Sequence, residues 1–83
     1  MKITLKLYAA LGKHLPDHAV RGEVEIDVDS GDTLERVLVA HDVPLEHCHL
    51  VLVNGHYVAP SERAGKVLED GDALAVWPPV AGG

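Results

Sequence analysis

The sequence is poor in cysteine, with Cys48 as the single one among 83 residues. A lone cysteine cannot close a disulfide within the chain, so the hydrophobic core must supply the stability, and such cysteine usage fits a reducing compartment. A chain of this size buries only about 60–65% of the surface that it exposes when unfolded, so its margin of stability is narrow. The cysteine count also excludes an iron–sulfur ferredoxin, whose cluster needs four cysteine ligands.

Long apolar runs and basic residues are scarce as well. No apolar stretch approaches the roughly 20 residues of a membrane-spanning helix, and residues 1–4 alternate in polarity instead of forming a signal-peptide core. Seven basic against thirteen acidic residues give a formal charge of -6, which would repel a nucleic-acid backbone. We therefore expect a soluble, cytoplasmic protein that binds neither membranes nor nucleic acid and whose protein partners present a basic surface.

The composition is otherwise that of a globular protein, with 47% hydrophobic residues and a mean hydropathy of +0.08. Strict alternation of apolar and polar residues over residues 2–8 and 23–28 predicts two half-buried strands that pair with each other. Residues 9–21 contain Gly12 and Pro16 and are predicted to form a loop, within which residues 9–11 can make one short helical turn.

One short amphipathic helix is predicted in the middle of the chain. Its apolar stripe has the spacing of two to three helical turns and comprises Leu34, Val37, Leu38 and His41. Pro44 should stop the helix just beyond that stripe. Either Asp32 or Thr33 can cap its start, and Asp32 followed by Glu35 has the spacing of a capping box.

A β-hairpin follows the helix and is the strongest local signal in the sequence. Leu50–Val53 and residues 56–58 flank Asn54-Gly55, a pair that favours the positive φ angles of a type I′ turn. Both faces of the first of these strands are apolar, which predicts a strand covered on two sides.

The order of the predicted elements indicates a single α+β domain. Residues 60–69 are predicted to be irregular, with Val67 and Leu68 filling the core, and Ala73–Trp77 should be a final strand. Four to five strands and one helix pack as two layers, a mixed sheet that grasps the helix, with the first and last strands parallel at its centre. We therefore predict a β-grasp domain over residues 1–77 and a flexible tail over residues 78–83.

The tail is the candidate functional segment. Its prolines lack the N–H that a sheet requires and hold the chain extended, so residues 78–83 can reach about 20 Å. Two terminal glycines make a thin tip, and residues 73–83 carry no charged side chain, so the terminal carboxylate is the only charge that would enter a partner. The alternative is an ordinary frayed terminus. Together with the tryptophan that ends the last predicted strand, the closing residues of the chain are Trp77, Pro78, Pro79, Val80, Ala81, Gly82 and Gly83.

These closing residues resemble the end of the MoaD/ThiS family of ubiquitin-like sulfur carriers, which finish in an aromatic residue, Pro-Pro-Val, a small residue and Gly-Gly. Weaker similarity covers the rest of the chain, including Gly31-Asp32-Thr33-Leu34 and Val53-Asn54-Gly55. The Pro-Pro ending and the long first connection are most similar to the small, sulfur-carrying subunit of molybdopterin synthase. The Asn-Gly hairpin is shared with the thiazole-pathway carrier, so the branch stays open.

The resemblance implies a carrier and not an enzyme. A ubiquitin-activating-type adenylyltransferase would use ATP to adenylate Gly83, a sulfur donor would convert it to a thiocarboxylate, and the sulfur would attack a pterin precursor in the molybdopterin synthase catalytic subunit. The carrier itself would bind no cofactor or metal. Its partners would contact Trp77, Pro78, Pro79, Val80, Ala81 and Gly82. The alternatives are a thiazole/thiamine-pathway carrier, a ubiquitin-like modifier conjugated through Gly83, and a plain interaction module.

Three other features of the sequence have competing interpretations. His47-Cys48-His49 contains metal-ligand side chains, but its spacing fits no standard zinc pattern, so we expect exposed histidines and a buried thiol. Nothing beside Cys48 indicates the low pKa of a nucleophile. Trp77 could anchor the core or, as we prefer, lie partly exposed at an interface. A run of alternating acidic residues along the second predicted strand is expected to form a solvent-exposed strand face. It comprises Glu23, Glu25, Asp27 and Asp29.

Overall fold

The computed structural model describes residues 1–79, which form one mixed five-stranded sheet with an α-helix packed on one side. Its strands are β1 (Lys2–Leu7), β2 (Glu23–Asp27), β3 (Leu50–Val53), β4 (His56–Tyr57) and β5 (Ala73–Trp77), and its helix is α1 (Leu34–Ala40). The strand order is β2-β1-β5-β3-β4, and β1 and β5 are parallel whereas the other neighbours are antiparallel. The predicted α+β class, the β-grasp arrangement and the central parallel pair are confirmed.

The alternating patterns place one side of each strand in a common core. Ile3, Leu5 and Leu7 of β1 are buried, whereas the residues between them lie on the opposite side of the sheet. The buried side chains of α1, which are Leu34, Val37 and Leu38, pack against them. Full burial of an aliphatic side chain contributes about 1.5–3 kcal/mol, so this shared core holds the helix against the sheet.

Thr33, and not Asp32, caps helix α1. The Thr33 Oγ1 accepts a hydrogen bond from the Arg36 N–H at 3.2 Å, which satisfies one of the free donors at the helix start. The Asp32 carboxylate accepts instead from the Asp29 N–H at 3.0 Å. The prediction of a capping box formed by Asp32 and Glu35 is therefore wrong.

None of the helical segments in residues 1–79 has the length and apolar character of a membrane-spanning helix.

The predicted hairpin turn is confirmed, since Asn54 and Gly55 have φ angles of 52° and 81°. The Asn54 side chain also joins this turn to the one before β5: its Oδ1 accepts from the Ala73 N–H and its Nδ2 donates to the Asp72 carboxylate, both at 2.8 Å. Asp72 is buried and accepts a further bond from the Glu69 N–H at 2.8 Å. The Asn54-Gly55 turn and the turn before β5 are thus fixed to each other.

Two details of the sequence-based prediction are wrong. Alternate residues of β3 are only half-buried, because α1 and the core lie on one side of the sheet and the other side stays open. Val67 is 48% exposed while Leu68 fills the core; Val67 forms a β-bridge with Thr33 at the helix start. The helical turn predicted over residues 9–11 is present and longer than expected: it is a 3-10 helix, Ala9–His14, that buries Leu11. Two further 3-10 helices are Leu45–His47 and Pro60–Glu62.

Candidate functional site

The candidate site begins where the central strand β5 ends. Trp77 is its last residue and is half-buried, Pro78 is half-buried, and Pro79 is exposed. The half-buried tryptophan agrees with the partly exposed position expected from the sequence. Val80, Ala81, Gly82 and Gly83 lie outside the described residues, so their roles, and the tail predicted over residues 78–83, stay predictions.

Backbone hydrogen bonds hold the end of β5 on both sides. The Val76 carbonyl accepts from the Tyr8 N–H at 3.1 Å, and the Trp77 carbonyl accepts from the His49 N–H at 2.9 Å. The next residue, Pro78, has no N–H to donate, so it ends the strand as the sequence indicated. The chain therefore leaves the sheet at a backbone position that hydrogen bonds fix on both sides.

An aromatic stack lies at this position. The rings of Tyr8 and Trp77 are 4.2 Å apart between centroids and inclined by 1°, a stacked pair slightly closer than the usual range of about 4.5–7 Å. Tyr8 is not among the site residues that the sequence predicted. The signal was available, because a parallel pairing of the first and last strands brings their terminal aromatic residues side by side.

The side of the sheet opposite α1 carries an apolar patch, which we call the open-face patch. The strand register pairs Leu50 with Trp77 and Leu52 with both Ala75 and Tyr57, so these five side chains lie on one face. Tyr57 is exposed and the two leucines are half-buried. A contiguous apolar surface rimmed by polar residues is typical of a protein-binding site, and this one includes the residue from which the tail departs.

The β1–β2 half of the same face is charged. Exposed carboxylates on edge strand β2 alternate with its core residues, which confirms the interpretation of the acidic run as a solvated strand face. The Lys2 Nζ lies 3.2 Å from the Asp27 carboxylate, and both side chains are mostly exposed. Such a surface ion pair contributes less than about 1 kcal/mol, so the acidic edge is mainly available for electrostatic attraction of a basic surface.

The residues of His47-Cys48-His49 do not converge on a metal site. Both histidines are exposed, whereas Cys48 is 6% exposed and its Sγ donates to the Pro44 carbonyl at 3.5 Å. Burial raises the pKa of the Cys48 thiol, against the opposing effect of the Arg63 charge, so the thiol is protonated near neutral pH. In residues 1–79 no group of three or more His, Cys, Asp or Glu side chains is placed to hold a metal ion.

Cys48 is therefore expected to resist alkylation in the folded protein. Because its thiolate is disfavoured and its sulfur is shielded, iodoacetamide at pH 8 should label the native chain at least about tenfold more slowly than the chain unfolded in guanidinium chloride. Intact mass at timed intervals measures the rate. Equal rates for the native and the unfolded chain would show that the thiol is accessible and reactive.

Arg63 is a second residue that the sequence did not point to. Its guanidinium is buried, the residue being 8% exposed, and donates to the carbonyls of Val58 at 3.1 Å, Cys48 at 2.7 Å and His49 at 3.3 Å. The His49 N–H in turn binds the Trp77 carbonyl. Arg63 thus fixes the segment that holds one side of the tail base.

Comparisons with known proteins agree with this geometry. The sequence profile of the Mut7-C ubiquitin family matches residues 1–82. Small archaeal modifier protein 3 of Haloferax volcanii is 29% identical over 93 aligned positions that cover both chains in full. The crystal structure of small archaeal modifier protein 1 from the same organism is 30% identical over the full length of both chains, with a TM-score of 0.67.

A more distant solved structure shares the fold. It comes from the complex of subunits 1 and 2 of the Helicobacter pylori molybdopterin-converting factor and matches over the full length of both chains with a TM-score of 0.62 at 18% identity. The β-grasp architecture, the matched relatives and the family profile confirm the ubiquitin-like relationship that the closing residues indicate. The chain belongs to the Mut7-C ubiquitin family.

Proposed function

We propose that this protein is a sulfur carrier that acts through the α-carboxylate of Gly83, and that molybdopterin synthesis receives the sulfur. The observation that carries the proposal is the base of the tail. The central strand leads from the core directly into Trp77-Pro78-Pro79, beside an apolar face that a partner can cover. A fixed base followed by an uncharged extension is suited to delivering a terminal group into another protein.

Activation of the carboxylate is the chemical step that this function requires. A carboxylate is a poor electrophile, so an adenylyltransferase would join Gly83 to AMP with release of pyrophosphate from ATP. A donor of sulfur at the oxidation level of sulfide would then attack the adenylated carbonyl carbon and displace AMP, which leaves a thiocarboxylate whose sulfur is a nucleophile. Catalytic acids and bases belong to the partner enzymes, and the carrier contributes the reacting group and its presentation.

The partners would bind the open-face patch and the tail together. The patch supplies apolar area next to the tail base, and the carboxylates of β2 extend the same face with negative charge. A complementary partner surface is apolar in its centre and basic at one edge, which would also speed association. The Helicobacter pylori structure is a complex of two subunits, and it supports an acceptor subunit as the second partner.

A protein modifier is the second candidate function. The two Haloferax volcanii relatives are named small archaeal modifier proteins, which favours attachment of the activated Gly83 to amines of other proteins. Both functions share the adenylation step and differ in what attacks the adenylate, a sulfur donor or a lysine side chain.

Intact mass separates these functions. The protein isolated from its source should first show that Gly83 carries a free α-carboxylate. After co-expression with an activating enzyme and a sulfur donor, replacement of one carboxyl oxygen by sulfur adds about 16 Da, whereas conjugation gives far larger adducts. A chain that stays at its unmodified mass with active partners would refute both functions.

A further inference from the structure

The backbone ladder between β1 and β5 stops one residue short of the tail. The Thr4 N–H donates to the Asp72 carbonyl at 2.9 Å and the Tyr8 N–H to the Val76 carbonyl at 3.1 Å. In this parallel register, the next bond would run from the N–H of residue 78 to the Tyr8 carbonyl. Pro78 has no N–H, so this bond cannot form.

Tyr8 is nevertheless firmly held. Its carbonyl accepts instead from the Leu11 N–H at 3.1 Å, at the start of the 3-10 helix Ala9–His14, and its N–H is used by Val76. The preceding Leu7 is buried and donates its N–H to the Gly22 carbonyl at 3.0 Å. Both backbone groups of Tyr8 are thus satisfied, and its ring projects from a fixed position.

The aromatic stack takes the place of the missing ladder bond. On the β3 side, the Trp77 carbonyl is bound by the His49 N–H at 2.9 Å. On the β1 side, the contact described at this position is the parallel stack of the two rings, 4.2 Å apart. The Tyr8 ring thus lies flat against the Trp77 ring, next to the point where Pro78 and Pro79 leave the sheet.

We propose that Tyr8 is a positioning residue for the activation of Gly83: its ring fixes Trp77 and so aims the tail into the activating enzyme. This inference rests on the proposed function. The rings of Pro78 and Pro79 fix their φ angles, so a rotation of about 20° at Trp77 moves the far end of this two-residue segment, about 6 Å long, by about 2 Å. Misplacement of a reacting group by as little as about 1 Å can cost about a hundredfold in rate.

A direct docking role for Tyr8 has a different kinetic signature. The Tyr8 side chain is partly open to solvent, with the residue 37% exposed, so a partner could also touch it. A docking contact changes the concentration of carrier at which the enzyme is half-saturated. A positioning residue changes the rate constant of adenylation in the bound complex and leaves half-saturation nearly unchanged.

Single-turnover adenylation with excess activating enzyme tests the proposal on four full-length chains: wild type, Tyr8→Phe, Tyr8→Leu and Tyr8→Ala. The phenylalanine variant keeps the planar ring and should stay within about twofold of the wild-type rate constant. The leucine variant keeps an apolar side chain in contact with Trp77 but has no planar ring to stack on it. We expect both it and the alanine variant to lose about tenfold in the saturating rate constant, with half-saturation changed less than about threefold.

A second readout needs no enzyme. The near-ultraviolet circular dichroism of the Tyr8–Trp77 pair should persist in the phenylalanine variant and be lost in the other two, while thermal unfolding reports whether each variant folds. Wild-type rate constants in a folded alanine variant would overturn the proposal, and so would a change confined to half-saturation. A wild-type chain that no activating enzyme adenylates would refute the proposed function, and this inference with it.

Discussion

Deletion of Gly82 and Gly83 is expected to abolish sulfur loading and to leave the fold intact. The deletion moves the terminal carboxylate to Ala81, about 7 Å short of its original reach, and replaces the thin glycine tip by a residue with a Cβ. The core lies between Ile3 and Val76, so the free energy of unfolding should not change. Loading is followed by intact mass after co-expression, and folding by circular dichroism and urea titration.

The control for this deletion is a substitution on the other side of the molecule. Ser30→Ala alters an exposed side chain in the turn before α1 and should load sulfur as the wild type does. Loading of the deletion variant should fall at least about a hundredfold, since the reacting group no longer reaches its site. A deletion variant that still accepts sulfur would show that the carrier role does not depend on the terminal glycines.

Substitution of Arg63 by Met is expected to lower the free energy of unfolding by about 2–4 kcal/mol. Methionine retains much of the aliphatic stem but leaves the carbonyls of Cys48, His49 and Val58 without the guanidinium donors. Arg63→Lys should also destabilise the fold, because an ammonium group cannot reproduce the planar fork that reaches three carbonyls. Urea denaturation measures both effects through the midpoint and the slope.

Arg36 offers the matched control for this prediction. Its side chain is 77% exposed and its Nε lies 3.8 Å from the Asp32 carboxylate, a geometry that contributes little to stability. Arg36→Met should therefore change the free energy of unfolding by less than about 0.5 kcal/mol. Equal losses in the two variants would show that the buried hydrogen bonds of Arg63 add nothing beyond the general cost of removing an arginine.

The features that the sequence predicted well are set by local physics. The alternation of apolar and polar residues predicted β1 and β2, the helical spacing of apolar residues predicted α1, and Asn54-Gly55 predicted the hairpin. Each of these patterns depends only on residues that are close in the chain. The β-grasp arrangement followed from the order of these elements. Local signals also identified the end of β5, since a proline cannot continue a ladder.

The features that were missed depend on segments distant in the chain. The burial of Arg63 requires carbonyls from residues 48, 49 and 58 to converge, and its own neighbours in sequence do not reveal this. Tyr8 becomes a candidate site residue only because the parallel pairing of β1 and β5 brings its ring against that of Trp77. The half-exposed face of β3 was misjudged because an apolar residue that awaits a partner looks the same in sequence as one buried in the core.

The candidate site was predictable from the Pro-Pro and Gly-Gly residues that close the sequence. The structure adds how the end of β5, which precedes them, is held. The sequence supplied the proline pair and the glycines. The structure supplies the hydrogen bonds and the aromatic stack that hold Trp77, together with the open-face patch beside it. Carriage of sulfur by Gly83 is the proposal that joins them.

Localisation of the added sulfur tests this proposal most directly. Oxidation of Met1 or Cys48 adds almost the same mass as a thiocarboxylate, about 16 Da, so the loaded protein must be digested and its peptides fragmented at high mass accuracy. We predict that the gain lies on Gly83, has the mass of sulfur exchanged for oxygen and disappears after alkaline hydrolysis. A gain found on Met1 or Cys48, with an unmodified C-terminal peptide, would contradict the account.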